Sequence, residues 1–235
     1  MPRAAERLIV ALDAPDLASA LRLAKRLRGV VRYAKIGSIL FTAEGPSAIR
    51  RIRALGFDVF LDLKFHDIPS TVEKSCRAAV RHGVFLLTVH ACGQRDMLTA
   101  AVAGASEEAR RLHRPRPRIV GVTVLTSVAG GSGSSRLGSQ VTRLAVGAQA
   151  AGLDGVVASA QEAAAIRRRV GSRFWIVCPG IRPAEGRALD QARVSSPAAA
   201  LAAGADWLVV GRPITEARDP RAAALAIVKD METAR

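Results

Sequence analysis

Residues 61–72, LDLKFHDIPSTV, place a dense set of charges where an apolar strand ends and a helix begins. Asp62, Lys64 and Asp67 fall within six positions of one another. Because alternate residues of a strand face the same side, we expect Asp62 and Lys64 to point the same way. Charged groups are costly against a packed interior unless they are paired. The stretch therefore predicts a charged functional cluster at the end of a buried strand.

The same alternation of apolar strand and amphipathic helix repeats along the chain. The predicted strands are 8–13, 33–37, 59–64, 86–91, 119–126, 155–159, 174–181 and 207–214. The predicted helices are 16–28, 44–55, 70–82, 95–112, 139–151, 161–170, 196–203 and 219–233. Eight strand–helix units predict an α/β fold, a (β/α)8 TIM barrel, with residues 1–235 as a single catalytic domain. An open doubly wound sheet is the alternative, but no G-x-G-x-x-G follows the first strand.

Composition narrows the classes of partner. The net charge of +15 fits either a nucleic-acid binder or an arginine-rich solvated surface, and the aromatic content of 4% favours the second. No apolar run approaches the roughly 20 residues of a membrane span, and the first residues do not resemble a signal peptide. The cysteines at 76, 92 and 178 are odd in number and lack a CxxC pair. We therefore expect a reduced, cytoplasmic protein without nucleic-acid or membrane partners.

Polar residues gather at the carboxyl ends of the predicted strands. They are Asp13, Lys35, Asp62, Lys64, His90, Thr126, Ser127, Ser159, Arg182, Gly211 and Arg212. In barrels of this type these strand ends form the mouth that carries the active site. A binding module or structural protein gives no reason for such convergence, so the pattern favours an enzyme.

Lysine is rare in this chain, which has only five among 35 basic residues. Two of the five, Lys35 and Lys64, lie in apolar strand contexts. Arginine stays protonated, whereas lysine can give and take a proton, so these positions favour a chemical role. Together with Asp62 and Asp67 they would form an array of alternating, fixed charges suited to electrostatic catalysis. A purely structural salt-bridge network is the alternative.

A phosphate site is predicted where the seventh and eighth strands end. PGIRP (179–183) supplies Arg182, and VVGRPI (209–214) supplies Gly211 and Arg212. A phosphate accepts hydrogen bonds from backbone N–H groups and from the guanidinium fork. Barrels of this class often bind phosphate after these two strands.

Seven motifs, in order along the chain, carry a resemblance to a known family. They are ALD (11–13), KIG (35–37), DLKFHDIPSTV (62–72), VTVLTS (122–127), CPGIRP (178–183), DQARV (190–194) and GADWLVVGRPIT (204–215). The chain resembles orotidine 5'-phosphate decarboxylases, specifically those of the bacterial branch. The resemblance implies a (β/α)8 barrel that forms a homodimer with active sites at the dimer interface.

The resemblance also implies roles for the charged residues. Asp62 would lie beside the substrate carboxylate, and Lys64 would donate a proton to C6 of the pyrimidine. Asp13 and Lys35 would bind the ribose hydroxyls, and Lys35 belongs to the catalytic array as well.

Other implied positions bind the substrate or cross the dimer interface. Asp67 and Thr71 would reach into the site of the partner subunit. The substrate-binding positions that the resemblance adds are Ile68, Thr71, Thr126, Ser127, Arg182, Gln191, Gly211 and Arg212. The implied reaction converts orotidine 5'-monophosphate to uridine 5'-monophosphate, the last step of de novo pyrimidine nucleotide synthesis, without metal or cofactor.

Two competing functions remain open. A related magnesium-dependent lyase, such as hexulose-phosphate synthase, resembles the chain in its third strand but carries Glu where this chain has Lys35. An amine at that position would repel a metal ion. A non-enzymatic barrel that binds polyanions would explain the net charge but not the polar mouth.

Overall fold

Eight parallel strands close into a barrel in their order along the chain. The computed structural model describes residues 4–126, 135–183 and 194–234. The strands are β1 (Leu8–Ala11), β2 (Tyr33–Gly37), β3 (Asp58–Phe65), β4 (Leu86–His90), β5 (Arg118–Val122), β6 (Gly155–Val157), β7 (Trp175–Cys178) and β8 (Trp207–Val210). Closure comes from parallel pairing of β1 with β8, with Ile9 opposite Val209. The predicted (β/α)8 TIM barrel is confirmed.

Helices follow the strands around the outside of the barrel. A 3₁₀ helix, Ala4–Arg7, precedes β1. Within the described ranges the α-helices are α1 (Leu17–Leu27), α2 (Ser38–Glu44), α3 (Pro46–Ala54), α4 (Pro69–Arg81), α5 (Arg95–Arg111), α6 (Ser135–Ala150), α7 (Ala160–Val170), α8 (Pro197–Ala202), α9 (Arg212–Thr215) and α10 (Pro220–Glu232). No helix of the described part of the chain is long and apolar enough to cross a membrane.

Two short helices were missed by the sequence prediction. Helix α2 precedes the predicted helix 44–55, and Gly45 at φ 58 separates it from α3. Helix α9 lies in what was predicted as the tail of a strand, because β8 already ends at Val210. An apolar run alone does not show where a buried strand stops and a single helical turn begins.

The barrel strands alternate between two apolar layers. Ile9 and Ala11 point into the barrel, whereas Leu8 and Val10 pack outward beneath the helices. The inner layer contains Ile9, Ala11, Tyr33, Phe60, Leu86, Val120, Val177, Trp207 and Val209. The barrel is thus filled by side chains, and space for a ligand remains at its carboxyl-terminal mouth.

A buried carboxylate holds α4 against α5. The side chain of Glu108 is 2% exposed, and it accepts hydrogen bonds from Arg81 Nε at 2.6 Å and Arg111 Nη2 at 2.7 Å. These two bonds, from Arg111 first and then Arg81, lower the pKa of Glu108 to about 2. Close approach of the helices is possible because Gly104 faces Glu73, where a Cβ atom would lie 2.6 Å from Glu73 Cγ.

This carboxylate predicts acid-sensitive stability. Because its pKa is depressed on folding, its contribution is present above the ordinary value of 4.5 and is lost as the pH falls towards 2. We expect Glu108→Gln to lower the unfolding midpoint at pH 7 and to flatten the decline in stability between pH 5 and pH 2. Urea unfolding of the two proteins across this range measures both effects. Glu232→Gln, an exposed change on α10, is the matched control. An equal decline in wild type and Glu108→Gln would contradict the prediction.

Candidate active site

A cavity of about 290 Å³ opens at the carboxyl ends of the barrel strands. It is lined by Ala11, Asp13, Lys35, Phe60, Asp62, Lys64, Val122, Val124, Leu125, Thr126, Val157, Ala158, Pro179, Gly180, Ile181, Arg182, Val209, Gly211, Arg212 and Pro213. The lining combines the acidic Asp13 and Asp62 with the basic Lys35, Lys64, Arg182 and Arg212, and apolar side chains make up much of the rest. The shape and chemistry suit a small polar ligand with an anionic group at one end.

Four charged side chains, from β2, β3 and the segment that follows β1, form a continuous chain. Lys35 Nζ donates to Asp13 Oδ1 at 2.9 Å and lies 3.5 Å from Asp62 Oδ2. Lys64 Nζ donates to the same Asp62 oxygen at 3.0 Å. The structure therefore brings together Lys35, Asp62 and Lys64, three of the four residues of the predicted array, and joins Asp13 to them.

Asp62 is the centre of this chain of charges. Its side chain is only 12% exposed, and burial acts to raise its pKa. The charges of Lys35 and Lys64, with hydrogen bonds from Lys64 and Thr88, outweigh burial and hold the pKa of Asp62 below its ordinary value. The carboxylate is thus ionised at neutral pH despite lying in the protein interior.

A backbone irregularity in β3 sets the direction of these side chains. Lys64 has φ 53, in the left-handed region that residues other than glycine seldom adopt. Pairing with β4 shifts register between Leu61 and Phe65. Opposite this shift, Thr88 Oγ1 accepts from Lys64 N at 2.9 Å and donates to Asp62 Oδ1 at 3.0 Å. Sequence reasoning missed Thr88, because only strand pairing shows which residue faces the irregular segment.

Gly37, the glycine of the KIG motif, lies against the same charges. A Cβ atom there would lie 3.0 Å from both Asp13 Oδ1 and Lys35 Nζ. The absence of a side chain at this position therefore leaves the space in which the Asp13–Lys35 pair forms.

The predicted phosphate-binding residues within the described ranges line the same cavity. Arg182 is 9% exposed, and its backbone N–H donates to Ser195 O at 3.0 Å. Gly211 and Arg212 follow β8 and line the same cavity, as does Thr126 after β5. Two further predicted residues, Ser127 and Gln191, lie outside the described residues.

Three predicted residues stand apart from the cavity. Asp67, Ile68 and Thr71 are exposed, and none of them lines it. Asp67 Oδ1 accepts instead from the backbone N–H of Ile68 at 2.6 Å. Within the described ranges no ion pair joins Asp67 to Lys35 or Lys64, so these three residues do not complete the site of their own chain.

Two histidines lie near the charged chain without entering it. The rings of His66 and His90 are 5.4 Å apart between centroids. Burial, followed by the charges of His66 and Lys64, lowers the pKa of His90. His90 is therefore neutral at pH 7 and adds no charge to the chain.

Comparison with models of known protein families gives a match that covers most of the chain. Residues 6–227 match the family model described as orotidine 5'-phosphate decarboxylase / HUMPS family. The chain belongs to this family. In the described part of this chain, no group of three or more His, Cys, Asp or Glu side chains is arranged to hold a metal ion.

Two named relatives share about half of their aligned residues with this chain. The orotidine 5'-phosphate decarboxylase of Moorella thermoacetica is 51% identical over 235 residues, which cover 97% of this chain and 93% of that protein. The protein of the same name from Halorhodospira halophila is 51% identical over 236 residues, covering 97% of each. The recognition of an orotidine 5'-phosphate decarboxylase from the sequence is confirmed.

Solved structures show the same architecture. The crystal structure of orotidine 5'-phosphate decarboxylase from Lactobacillus acidophilus matches with a TM-score of 0.82 and 34% identity, covering 97% of this chain and all of that one (100%). An uncharacterized conserved protein from Geobacillus kaustophilus matches with a TM-score of 0.81 and 36% identity, covering 95% and 99%.

The electrostatics of Asp62 can be tested directly. In Lys35→Met the carboxylate keeps its burial but loses a nearby positive charge, so we expect the pKa of Asp62 to rise. A ¹³C-carboxyl NMR titration of the wild type and the variant measures the change. Lys25→Met, which removes an exposed lysine from α1, is the control and should leave Asp62 unchanged. An Asp62 titration that is the same in all three proteins would refute the assigned coupling.

Proposed function

We propose that this protein decarboxylates orotidine 5'-monophosphate to uridine 5'-monophosphate in the cavity at the barrel mouth. The observation that carries the proposal is the Asp13–Lys35–Asp62–Lys64 chain, with Lys35 and Asp62 largely buried, in the same cavity as Arg182 and Arg212. The names of the relatives supply the substrate. The proposal includes the earlier expectations of one catalytic domain, a cytoplasmic location and independence of cofactors.

The two ends of the cavity divide the work on a nucleotide. Arg182, Gly211 and Arg212 would bind the phosphate through guanidinium and backbone N–H groups. Asp13 and Lys35 would bind the ribose hydroxyls, which leaves the pyrimidine beside Asp62 and Lys64. Thr126 would contact the base from β5, and Ser127 and Gln191 are proposed to contribute from their neighbouring segments.

Lys64 is the proposed proton donor. Loss of CO₂ from C6 leaves a carbanion whose electron pair lies in the ring plane, without a π system to accept it. The Lys64 ammonium, held 3.0 Å from Asp62 Oδ2, would stabilise this charge and then protonate C6. Asp62 accepts a hydrogen bond from the Lys64 ammonium and would lie beside the departing substrate carboxylate.

A metal ion does not fit this charge array. The ammonium of Lys35 lies between two carboxylates, at 2.9 Å from Asp13 and 3.5 Å from Asp62. It takes the place that a cation would occupy between these oxygens and would repel a divalent ion. Lys35 therefore favours the decarboxylase over the metal-dependent lyase that shares its third-strand motif.

A second copy of the chain is the proposed source of Asp67, Ile68 and Thr71. Ile68 is 64% exposed, and Ile39 and Leu125, which follow β2 and β5, are 56% and 45% exposed. These apolar side chains lie near the mouth, where burial against another surface would be favourable. In the proposed homodimer the partner covers this rim, and each Asp67 completes the opposite site.

The proposed reaction is tested by mixing purified protein with orotidine 5'-monophosphate and following its absorbance. We expect conversion to uridine 5'-monophosphate at the same rate before and after exhaustive chelation with EDTA. Activity that disappears with EDTA and returns with magnesium would refute the metal-free assignment. Absence of conversion under both conditions would refute the reaction itself.

Replacing Lys64 separates its charge from its proton. Lys64→Arg retains a positive charge, but arginine is not deprotonated in proteins and its head group is larger. We expect kcat to fall by at least ~10³, which corresponds to about 4 kcal/mol of transition-state stabilisation. Circular dichroism verifies folding, and Lys74→Arg on the exposed face of α4 is the matched control. Turnover close to wild type in Lys64→Arg would exclude Lys64 as the acid.

Subunit mixing tests whether Asp67 acts across an interface. Lys64→Ala and Asp67→Asn are each expected to be inactive alone. In a hybrid dimer one site carries both changes, and the other combines an intact Lys64 with an intact Asp67. Random exchange makes about half of the dimers hybrid, so about a quarter of all sites should recover activity.

If Asp67 instead served its own chain, every site would retain one change and mixing would restore nothing. Each variant mixed with itself is the control for slow refolding during exchange.

A further inference from the structure

We propose that Thr88 is a positioning residue that holds both Asp62 and Lys64 through one hydroxyl group. This inference rests on the proposed function, because it concerns the same charge array. Thr88 lies in the middle of β4 and is completely buried, at 0% exposure. A buried hydroxyl on an interior strand needs partners, and both of its partners are backbone or side-chain atoms of the catalytic segment of β3.

Strand pairing explains why a hydroxyl is needed at this position. Between the pairs Leu61–Leu87 and Phe65–Val89, β3 advances four residues while β4 advances two. The extra residues disrupt the regular ladder, as in a β-bulge. Thr88 lies opposite this segment, and its Oγ1 accepts the Lys64 N–H at 2.9 Å in place of a main-chain carbonyl.

The same bond stabilises a strained backbone. Lys64 has φ 53, in the left-handed region that is unfavourable for a residue with a Cβ atom. Such conformations persist where surrounding contacts fix them, and they cluster at active sites. Thr88 thus fixes the backbone from which the Lys64 ammonium extends to the cavity.

The direction of the two hydrogen bonds is also fixed. A backbone N–H can only donate, so Thr88 Oγ1 accepts from Lys64 and its own proton is directed to Asp62 Oδ1 at 3.0 Å. The other Asp62 oxygen, Oδ2, faces Lys64 Nζ at 3.0 Å and Lys35 Nζ at 3.5 Å. One carboxylate oxygen is therefore oriented by Thr88 and the other by the two ammonium groups, which together fix the plane of the carboxylate.

Thr88→Val removes the hydroxyl and keeps the shape of the side chain. It leaves the Lys64 N–H and Asp62 Oδ1 without this partner, so we expect kcat to fall by about 10²-fold, the scale of a small displacement of a catalytic group. KM should change much less, because the side-chain hydrogen bonds of Thr88 in the described part of the chain go to Lys64 N and Asp62 Oδ1, not to the proposed phosphate-binding residues. Thr88→Ser keeps the hydroxyl and should retain most activity. Thr142→Val on α6, which removes a threonine bond to Gly138 O, is the matched control.

The pH profile gives a readout that a purely structural role would not move. Asp62 is faced by Lys35 from β2, Lys64 from its own strand and His90 from β4, with Asp13 beyond Lys35. Loss of the Thr88 bond removes one stabilising contact from the ionised carboxylate while these charges remain. The acid limb of kcat/KM should therefore shift to higher pH in Thr88→Val and stay in place in Thr88→Ser.

A ¹³C-carboxyl titration of Asp62 separates this inference from the proposed reaction. If the wild-type protein does not convert orotidine 5'-monophosphate, the proposed function fails, but the titration still reports whether Thr88 holds the carboxylate. A raised Asp62 pKa in Thr88→Val, with Thr88→Ser close to wild type, supports the inference. Unchanged titration and unchanged kcat, with only a lower unfolding midpoint, would overturn it.

A second variant serves if Thr88→Val does not fold. Thr88→Cys keeps the size of the side chain but hydrogen-bonds weakly. Lower kcat and a higher acid limb in Thr88→Cys than in Thr88→Ser would support the inference. Equal values in the two variants would overturn it.

Discussion

The carboxylate of Asp62 contacts the ammonium groups of both Lys35 and Lys64, and the charged array at the barrel mouth depends on these two contacts. Burial of a carboxylate without a positive partner favours its protonated form, and two ammonium groups held close together without a carboxylate between them would repel each other. Asp62 lies between them, at 3.5 Å from Lys35 Nζ and 3.0 Å from Lys64 Nζ, and their charges help to hold the pKa of Asp62 below its ordinary value. Asp13 extends the alternation to a fourth charge. The array presents its field to a ligand without having to rearrange, which is the basis of electrostatic preorganisation.

The barrel makes this array possible by joining four consecutive strands side by side. Parallel pairing places the carboxyl ends of β1 to β4 next to one another, so Asp13, Lys35, Asp62 and Thr88 meet although they are far apart in the chain. Arg182, Gly211 and Arg212 reach the same cavity from the segments that follow β7 and β8. Pairing of β1 with β8 closes the barrel, so the segments that follow these two strands line the same cavity.

A local irregularity in β3 gives Lys64 a backbone conformation that a regular strand does not provide. A β-strand of ideal geometry would leave Lys64 in an extended conformation, whereas the observed φ of 53 accompanies a register shift against β4. Gly37 contributes through the absence of a side chain, because the lack of a Cβ atom leaves room for Asp13 and Lys35. Positions that break the local rules of a fold are often those that serve its function.

The sequence by itself determined the barrel, the family and three members of the charged cluster, Lys35, Asp62 and Lys64. Strand–helix alternation has a strong physical signal in apolar periodicity, and DLKFHDIPSTV places Asp62 and Lys64 on one segment regardless of the rest of the fold. It did not reveal the short helices α2 and α9, whose lengths are too small for a periodic pattern. Only the tertiary structure decided the pairing of Lys35 with both carboxylates, the separation of Asp67 from its own cavity, and the contact of Thr88 with Asp62 and Lys64. These contacts join residues from different strands, and their geometry follows from strand register and side-chain direction, which no local sequence pattern contains.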